Sequence, residues 1–313
     1  MGRALGWIGR QGRYCLIVGL CLGLLAPGLA EMLRPWIGTL VALLLCVTGI
    51  RVGAREALGV RGDLAPTLAR VAVLQVGLPL TVIGALTLTG YADRPLAMAV
   101  CLMLAAPSLT GAPNFAIMLG QDPAPGMRLL VMGTALFPLT ALPVFLILDP
   151  AGGGVLSGMT LSFGLLLAIL ASVGAGFAIR RAMPGLGTAQ SHATLDGCAA
   201  LLLGIVVIGL MSAIGPLLRA DPLTLLAWLI AALAINTVLV TVTLRLSRRA
   251  GFTSPVPTAI YAGNRNIALF LIVLPPEAAA PLMIFIGCYQ IPMYVTPILL
   301  SWLGDAKSRS GAP

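Results

Sequence analysis

The chain has 313 residues, 59% of them hydrophobic and 9% charged, with a formal net charge of +9. Soluble globular domains carry about 45–50% apolar and about 25% charged residues, so an ordinary soluble enzyme is excluded. The positive charges stand singly between apolar stretches of about twenty residues, long enough to cross a bilayer as helices, which excludes a nucleic-acid-binding surface.

In chain order the apolar stretches predict ten spans, at 15–30, 36–52, 67–90, 95–119, 127–148, 155–180, 194–217, 222–245, 255–274 and 278–303. The predicted fold class is therefore an all-α membrane protein, a single polytopic domain of about ten transmembrane helices. The N-terminus also admits a signal-peptide reading, with arginines, an apolar run at 15–26 and small residues at Gly28–Ala30; cleavage would leave nine spans without reversing the rest.

Charge orders these spans. Arg3, Arg10 and Arg13 precede the first, and Arg51, Arg55, Arg61 and Arg70 lie between the second and third. Continuing on that side come Arg128, Arg180, Arg181, Arg245, Arg248, Arg249, Lys307 and Arg309, which makes fifteen basic residues against Arg34, Arg94 and Arg219 on the other. The positive-inside rule then places both termini in the cytoplasm, with the chain in the inner or plasma membrane. The cysteines Cys15, Cys21, Cys46, Cys101, Cys198 and Cys288 lie in or at the edge of spans without CxxC spacing, and read as small buried hydrophobes. His192 stands alone in a polar loop and reads as solvated.

The halves of the chain match. The fifth span carries Phe137-Pro138 and Pro143, and the tenth carries Ile291-Pro292 and Pro297 at the same five-residue spacing. The fourth span is interrupted over Pro107 to Asn114, and the ninth over Tyr261-Ala262-Gly263-Asn264-Arg265-Asn266. This predicts two five-helix repeats, about 15–148 and about 155–303, inverted because an odd number of spans separates their starts. Paired, interrupted hydrophobic segments in two halves point to a transporter's midplane binding site, since unwound backbone survives only where it lines a cavity. Gln75, Thr134, Asn236, Tyr289 and Gln290 fall near the same places in the repeat and are predicted to line that site with Tyr261.

Arg265 is the one charge in the interior of a span, away from its ends; all ten acidic residues lie in loops or near span ends. An arginine at a helix centre costs about 2.5–3.5 kcal/mol on insertion scales and usually marks a substrate pathway. Its planar donors suit a carboxylate or another oxyanion, so a small anionic substrate is the predicted partner. The alternative is that Arg265 bonds to free carbonyls of the broken helices as an internal counter-cation.

With these residues in place, the chain resembles the bile acid:sodium symporter family and its wider superfamily, which includes the arsenical-resistance transporters. The resemblance covers nearly the whole chain and rests on Thr48-Gly49-Ile50, the break from Pro107 to Asn114, and Gly263-Asn264-Arg265-Asn266-Ile267-Ala268-Leu269. It implies a core domain from spans 3–5 and 8–10 whose two broken helices cross, a panel from spans 1, 2, 6 and 7, and substrate between them near the crossover. Gln75, Asn114 and Asn266 match polar positions of the family's ion sites. Sodium-coupled members carry glutamate where this chain has Tyr261 and glutamine where it has Arg265, and Met127 and Val131 replace expected hydroxyls. Sodium remains the candidate coupling ion by resemblance. A fixed positive charge nevertheless opposes an oxygen cage for sodium, which implies that one or both sodium sites are lost and that Arg265 takes the cation's role.

The sequence thus predicts a secondary transporter moving a small organic anion by alternating access. Asn114, Asn264, Arg265 and Asn266 form the crossover, and no cofactor is expected apart from the coupling ion. An arsenite or other inorganic oxyanion exporter is the alternative substrate class, weakened because the cysteines do not cluster near the breaks. A non-transporting receptor is the alternative of another class, and it lacks a segment long enough to be an output domain. No Ser/His pair, Asp dyad or His/Glu cluster lies in the spans, so the chain is not predicted to be an enzyme.

Overall fold

The computed structural model describes residues 5–8, 12–58 and 64–310. Its elements are helical: α1 (Gly12–Leu25), α2 (Pro27–Leu33), α3 (Ile37–Leu58), α4 (Leu64–Ala72), α5 (Leu78–Leu88), α6 (Pro95–Ala105), α7 (Ala112–Met118), α8 (Ala124–Leu148), α9 (Gly154–Ala182), α10 (Ala189–Ala220), α11 (Pro222–Arg249), α12 (Pro255–Gly263) and α13 (Pro276–Ser310). Among the described residues, seven helical stretches are long and apolar enough to cross a membrane.

The three other predicted spans differ from a single long helix, each for a visible reason. The first is α1, which has 14 residues and ends before Pro27, whose missing N–H starts a new helix. The stretches 95–119 and 255–274 are both broken, into α6 and α7 and into α12 and a 3-10 turn, Ile267–Ile272. Pro138 and Pro143, by contrast, leave α8 continuous over 25 residues. The outer faces of several helices are apolar; on α9 these are Leu156, Met159, Phe163, Leu167 and Leu170, all more than half exposed. Such faces fit hydrocarbon rather than water, as expected of a membrane-embedded protein.

The chain divides into two compact units. The first comprises Met1–Gly62, Phe145–Leu225 and Ala268–Gly287. Within it α1 packs on α10 and α3 packs on α9, each pair in parallel. Both contacts run through glycine: a Cβ on Gly19 would stand 2.6 Å from the Gly204 carbonyl, and one on Gly49 would stand 2.9 Å from that of Val173. Gly53 (φ 73°) kinks α3, and Arg180 donates to the freed Ile50 carbonyl (2.8 Å) and to that of Arg51. Arg51 in turn pairs with Asp196.

Two expectations are corrected in this unit. His192 is half-buried rather than solvated, with Nε2 3.3 Å from Arg180 Nη1, because α10 begins at Ala189 and carries it against α9. Cys21 is exposed on α1 rather than buried, while Cys15, Cys46 and Cys198 are half-buried. In the turn after α8, Asp149 accepts from the amides of Gly153 and Gly154, which hold its carboxyl below the usual carboxylate range.

The second unit comprises Asp63–Val144, Leu226–Ile267 and Cys288–Pro313. Its interior joins Ala112, Ala116, Val240, Leu244, Ala259 and Ile260 on one side, and Val71, Leu74, Leu129, Tyr261 and Ala262 on the other. α12 takes part in both clusters, which fixes the level of the helix break that follows it.

Candidate functional site

The site is built from two helix ends. Pro107 excludes Ala106 from helical geometry, so α6 stops at Ala105 and Ala106 is extended (ψ 149°). α12 stops at Gly263, and Asn264 is likewise extended (ψ 91°). The two unwound segments pair with one another. The Leu109 amide donates to the Asn264 carbonyl (2.8 Å) and the Asn266 amide to that of Pro107 (2.8 Å), forming an antiparallel bridge between Ser108 and Arg265. Backbone groups freed by the breaks are thereby satisfied without solvent.

Arg265 lies at the centre of this bridge, 1% exposed. Each of its three nitrogens donates to a different backbone carbonyl: Nε to Ala262 (2.9 Å), Nη1 to Ala106 (2.9 Å) and Nη2 to Leu74 (3.0 Å). All three carbonyls come from helix discontinuities, since Ala262 and Ala106 lie at the ends of α12 and α6, and Leu74 lies in a π-turn, Val73–Gly77. Two helix C-termini, each the negative end of its dipole, therefore face the guanidinium. The Tyr261 ring adds a cation–π contact at 5.0 Å. The sequence leaves Arg265 either an anionic partner or the free carbonyls of the broken helices; in this structure the side chain is enclosed and its hydrogen bonds go to three such carbonyls.

The two halves brace their breaks in the same way. Gln75 Nε2 donates to the carbonyls of Ala105 and Gly133 (both 3.4 Å). Asn236 Nδ2 donates to the Gly263 carbonyl and to Tyr289 Oη (3.4 Å). In each half an amide side chain thus holds the last carbonyl of the broken helix and reaches the helix that follows. Tyr289 Oη also donates to Gly263 (2.7 Å), and Thr296 Oγ1 to Asn236 Oδ1 (3.1 Å). Thr296, fully buried, was missed from sequence; its place four residues after Pro292, whose carbonyl it also meets at 3.1 Å, was the available signal.

The remaining predicted residues fall as follows. Asn264 is fully buried and its Nδ2 donates to Ile260 (3.0 Å), whereas Asn266 is 8% exposed and contributes its backbone amide to the bridge. Thr134 is half-buried on α8, next to Gly133. The side chain of Asn114, on α7, lies outside the described residues. Among the described residues, the buried oxygens of Gln75 (Oε1), Ser108, Tyr261, Asn264 (Oδ1) and Gln290 (Oε1) have no hydrogen-bond partner. Two of them converge over one glycine: a Cβ on Gly133 would lie 2.6 Å from Tyr261 Oη and 3.2 Å from Gln75 Oε1. Against known proteins, no family model matches the chain, and no curated protein matches it in sequence.

Proposed function

We propose that this chain is a divergent secondary transporter of the bile acid:sodium symporter type, which carries a small organic anion across the inner or plasma membrane by alternating access. The observation that carries the reading is the meeting of two broken helices around Arg265, with its guanidinium donating into three carbonyls from helix discontinuities. In transporters built from repeats, unwound carbonyls and half-helix C-termini are the groups that coordinate a coupling cation. Arg265 supplies a permanent cation at such a place, and Tyr261 supplies no carboxylate beside it. The reading therefore includes a resident positive charge in place of a coupling sodium ion at this position.

Two further features support inverted repeats of five spans, the finer form of the fold. The pairing of spans 1 with 7 and 6 with 2 (α1 with α10, α9 with α3) is what exchanging two inverted five-span halves produces. The equivalent roles of Gln75 and Asn236 supply the second.

The test is melting of the purified protein in sodium chloride against choline chloride, with uptake of a carboxylate panel into proteoliposomes in the same salts. The expected outcome is uptake that proceeds equally in both salts and no sodium-specific rise in melting temperature. A bound ion at about 100 times its dissociation constant adds roughly 2.7 kcal/mol and would be seen. A sodium-specific rise would restore a coupling site and overturn the resident-cation reading; binding without flux would overturn transport and favour a receptor.

A further inference from the structure

The first unit gathers charges at the kink of α3. Arg180 Nη1, on α9, donates to the Ile50 carbonyl (2.8 Å) and to that of Arg51, just before the kink at Gly53. The same nitrogen lies 3.3 Å from Nε2 of His192, in the first turn of α10. Two glycines leave room for the guanidinium: a Cβ on Gly53 would stand 3.0 Å from Arg180 Nε, and one on Gly187 would stand 3.2 Å from Nη2. Arg51 pairs with Asp196, one turn beyond His192 on α10.

The chemistry of this contact fixes the state of the imidazole. Arginine offers only donors and keeps its proton, so His192 Nε2 is the acceptor, which requires a neutral ring protonated on Nδ1. An imidazole in ordinary surroundings changes charge near pH 6.5. A proton on Nε2 removes the acceptor and sets two cations against one another. The other charged groups at the ring are Arg51 from α3 and Asp196 from α10 itself. Arg181 on α9 is exposed, the turn Pro184–Gly187 and residues 5–8 carry no titratable side chain, and the side chain of Arg55 lies outside the described residues. With His192 protonated, Arg51, Arg180 and His192 therefore compete for the one carboxylate of Asp196. We propose that His192 is a proton-operated latch on α3: neutral, it pins Arg180 against the Ile50 and Arg51 carbonyls, and protonated, it releases Arg180 and loosens the kinked end of the helix. The orientation predicted from the chain-wide excess of basic residues puts this end in the cytoplasm, so the latch responds to cytoplasmic acidification. The proposal stands on the first unit alone and not on the transport reading.

His192 is the one histidine of the chain, so nitrogen-15 histidine labelling of the full protein in detergent reports a single imidazole. Its spectrum at pH 8 is expected to show the Nδ1–H tautomer; the Nε2–H tautomer would overturn the proposal, because Nε2 would not then be an acceptor. Amide hydrogen exchange over 50–58, corrected for the intrinsic pH dependence of exchange, should rise about tenfold between pH 7.5 and pH 5.5 as the kinked end opens. His192→Gln, whose amide oxygen accepts at both pH values, should keep exchange at the slow level. His192→Lys, a permanent cation, should keep it at the fast level. Unchanged exchange in the wild-type protein would overturn the latch, since the protonated ring would then turn away and leave Arg180 in place. An equal rise in His192→Gln would overturn it as well, by assigning the response to another group.

Discussion

A fully buried arginine with no carboxylate among its hydrogen-bond partners is the most consequential residue here, and its energetics decide between two roles. Removing a donor from a buried carbonyl costs about 1–3 kcal/mol, and Arg265 serves three of them. Arg265→Ala is therefore expected to lower stability by several kcal/mol, read as a large fall in melting temperature. Arg265→Lys should recover little, because one ammonium cannot span three carbonyls that a planar guanidinium reaches. Millimolar guanidinium should raise the melting temperature of Arg265→Ala and leave the wild-type unchanged; if it does not, the three carbonyls are not a cation cage. Gly133 gives a second prediction. A Cβ there would crowd the Tyr261 hydroxyl at 2.6 Å, so Gly133→Ala should destabilise by about 1–3 kcal/mol. Combining it with Tyr261→Phe should remove most of that loss, since the clash is with the hydroxyl; additive losses in the double variant would locate the strain elsewhere. Sequence alone identified Arg265, Tyr261, Gln75 and Asn236 because polar residues in apolar spans stand out. It could not identify the partners of Arg265, which are backbone carbonyls and carry no residue type to read.

Helix pairs in the first unit depend on glycines that look alike in sequence and differ in what they face. Gly176 meets the backbone of α3 at Cys46 and Ile50, whereas Gly174, two residues earlier on α9, faces open space. Gly176→Ala is thus expected to force the helices apart and lower the melting temperature by an amount typical of overpacking, about 1–3 kcal/mol. Gly174→Ala should be neutral or stabilising by up to about 1 kcal/mol, from helix propensity alone. Equal effects of the two would mean that α3 and α9 do not touch through this face. The same contrast shows what element-level reading can and cannot extract. Apolar length located nearly every stretch, and Pro107 and the Gly263-Asn264 pair marked both breaks, because these residues act through local backbone geometry. The division of α1 from α2 at Pro27 is not legible in the sequence, whereas the predicted span at 127–148 does run unbroken, as α8, through Pro138 and Pro143. Whether a proline breaks or merely bends a helix in a membrane depends on neighbours that re-satisfy the freed carbonyls, and local sequence does not contain them.

At the scale of the molecule, the reading of ten stretches as ten crossings turns on the broken ones. α6 has 11 residues and α7 has 7, which are about 16 Å and about 10 Å of helix. Neither alone crosses a core of about 30 Å, but the two with the unwound segment between them can. If they do, the turn before α6 and the turn after α7 lie on opposite sides, and the orientation predicted from the chain-wide excess of basic residues puts the first outside and the second in the cytoplasm. In a cysteine-free background, Asp93→Cys should react with a membrane-impermeant maleimide added outside intact cells. Gln121→Cys should react only after permeabilisation, and so should Gly185→Cys, in the turn after α9. Asp93 and Gln121 are both exposed in the fold, and a Cβ on Gly185 meets nothing within 4 Å, so burial within the protein would not hide these labels. Reaction of positions 93 and 121 from the same side would make 95–119 a re-entrant hairpin. The first half would then have an even number of crossings, and its repeat with the second half would be parallel rather than inverted.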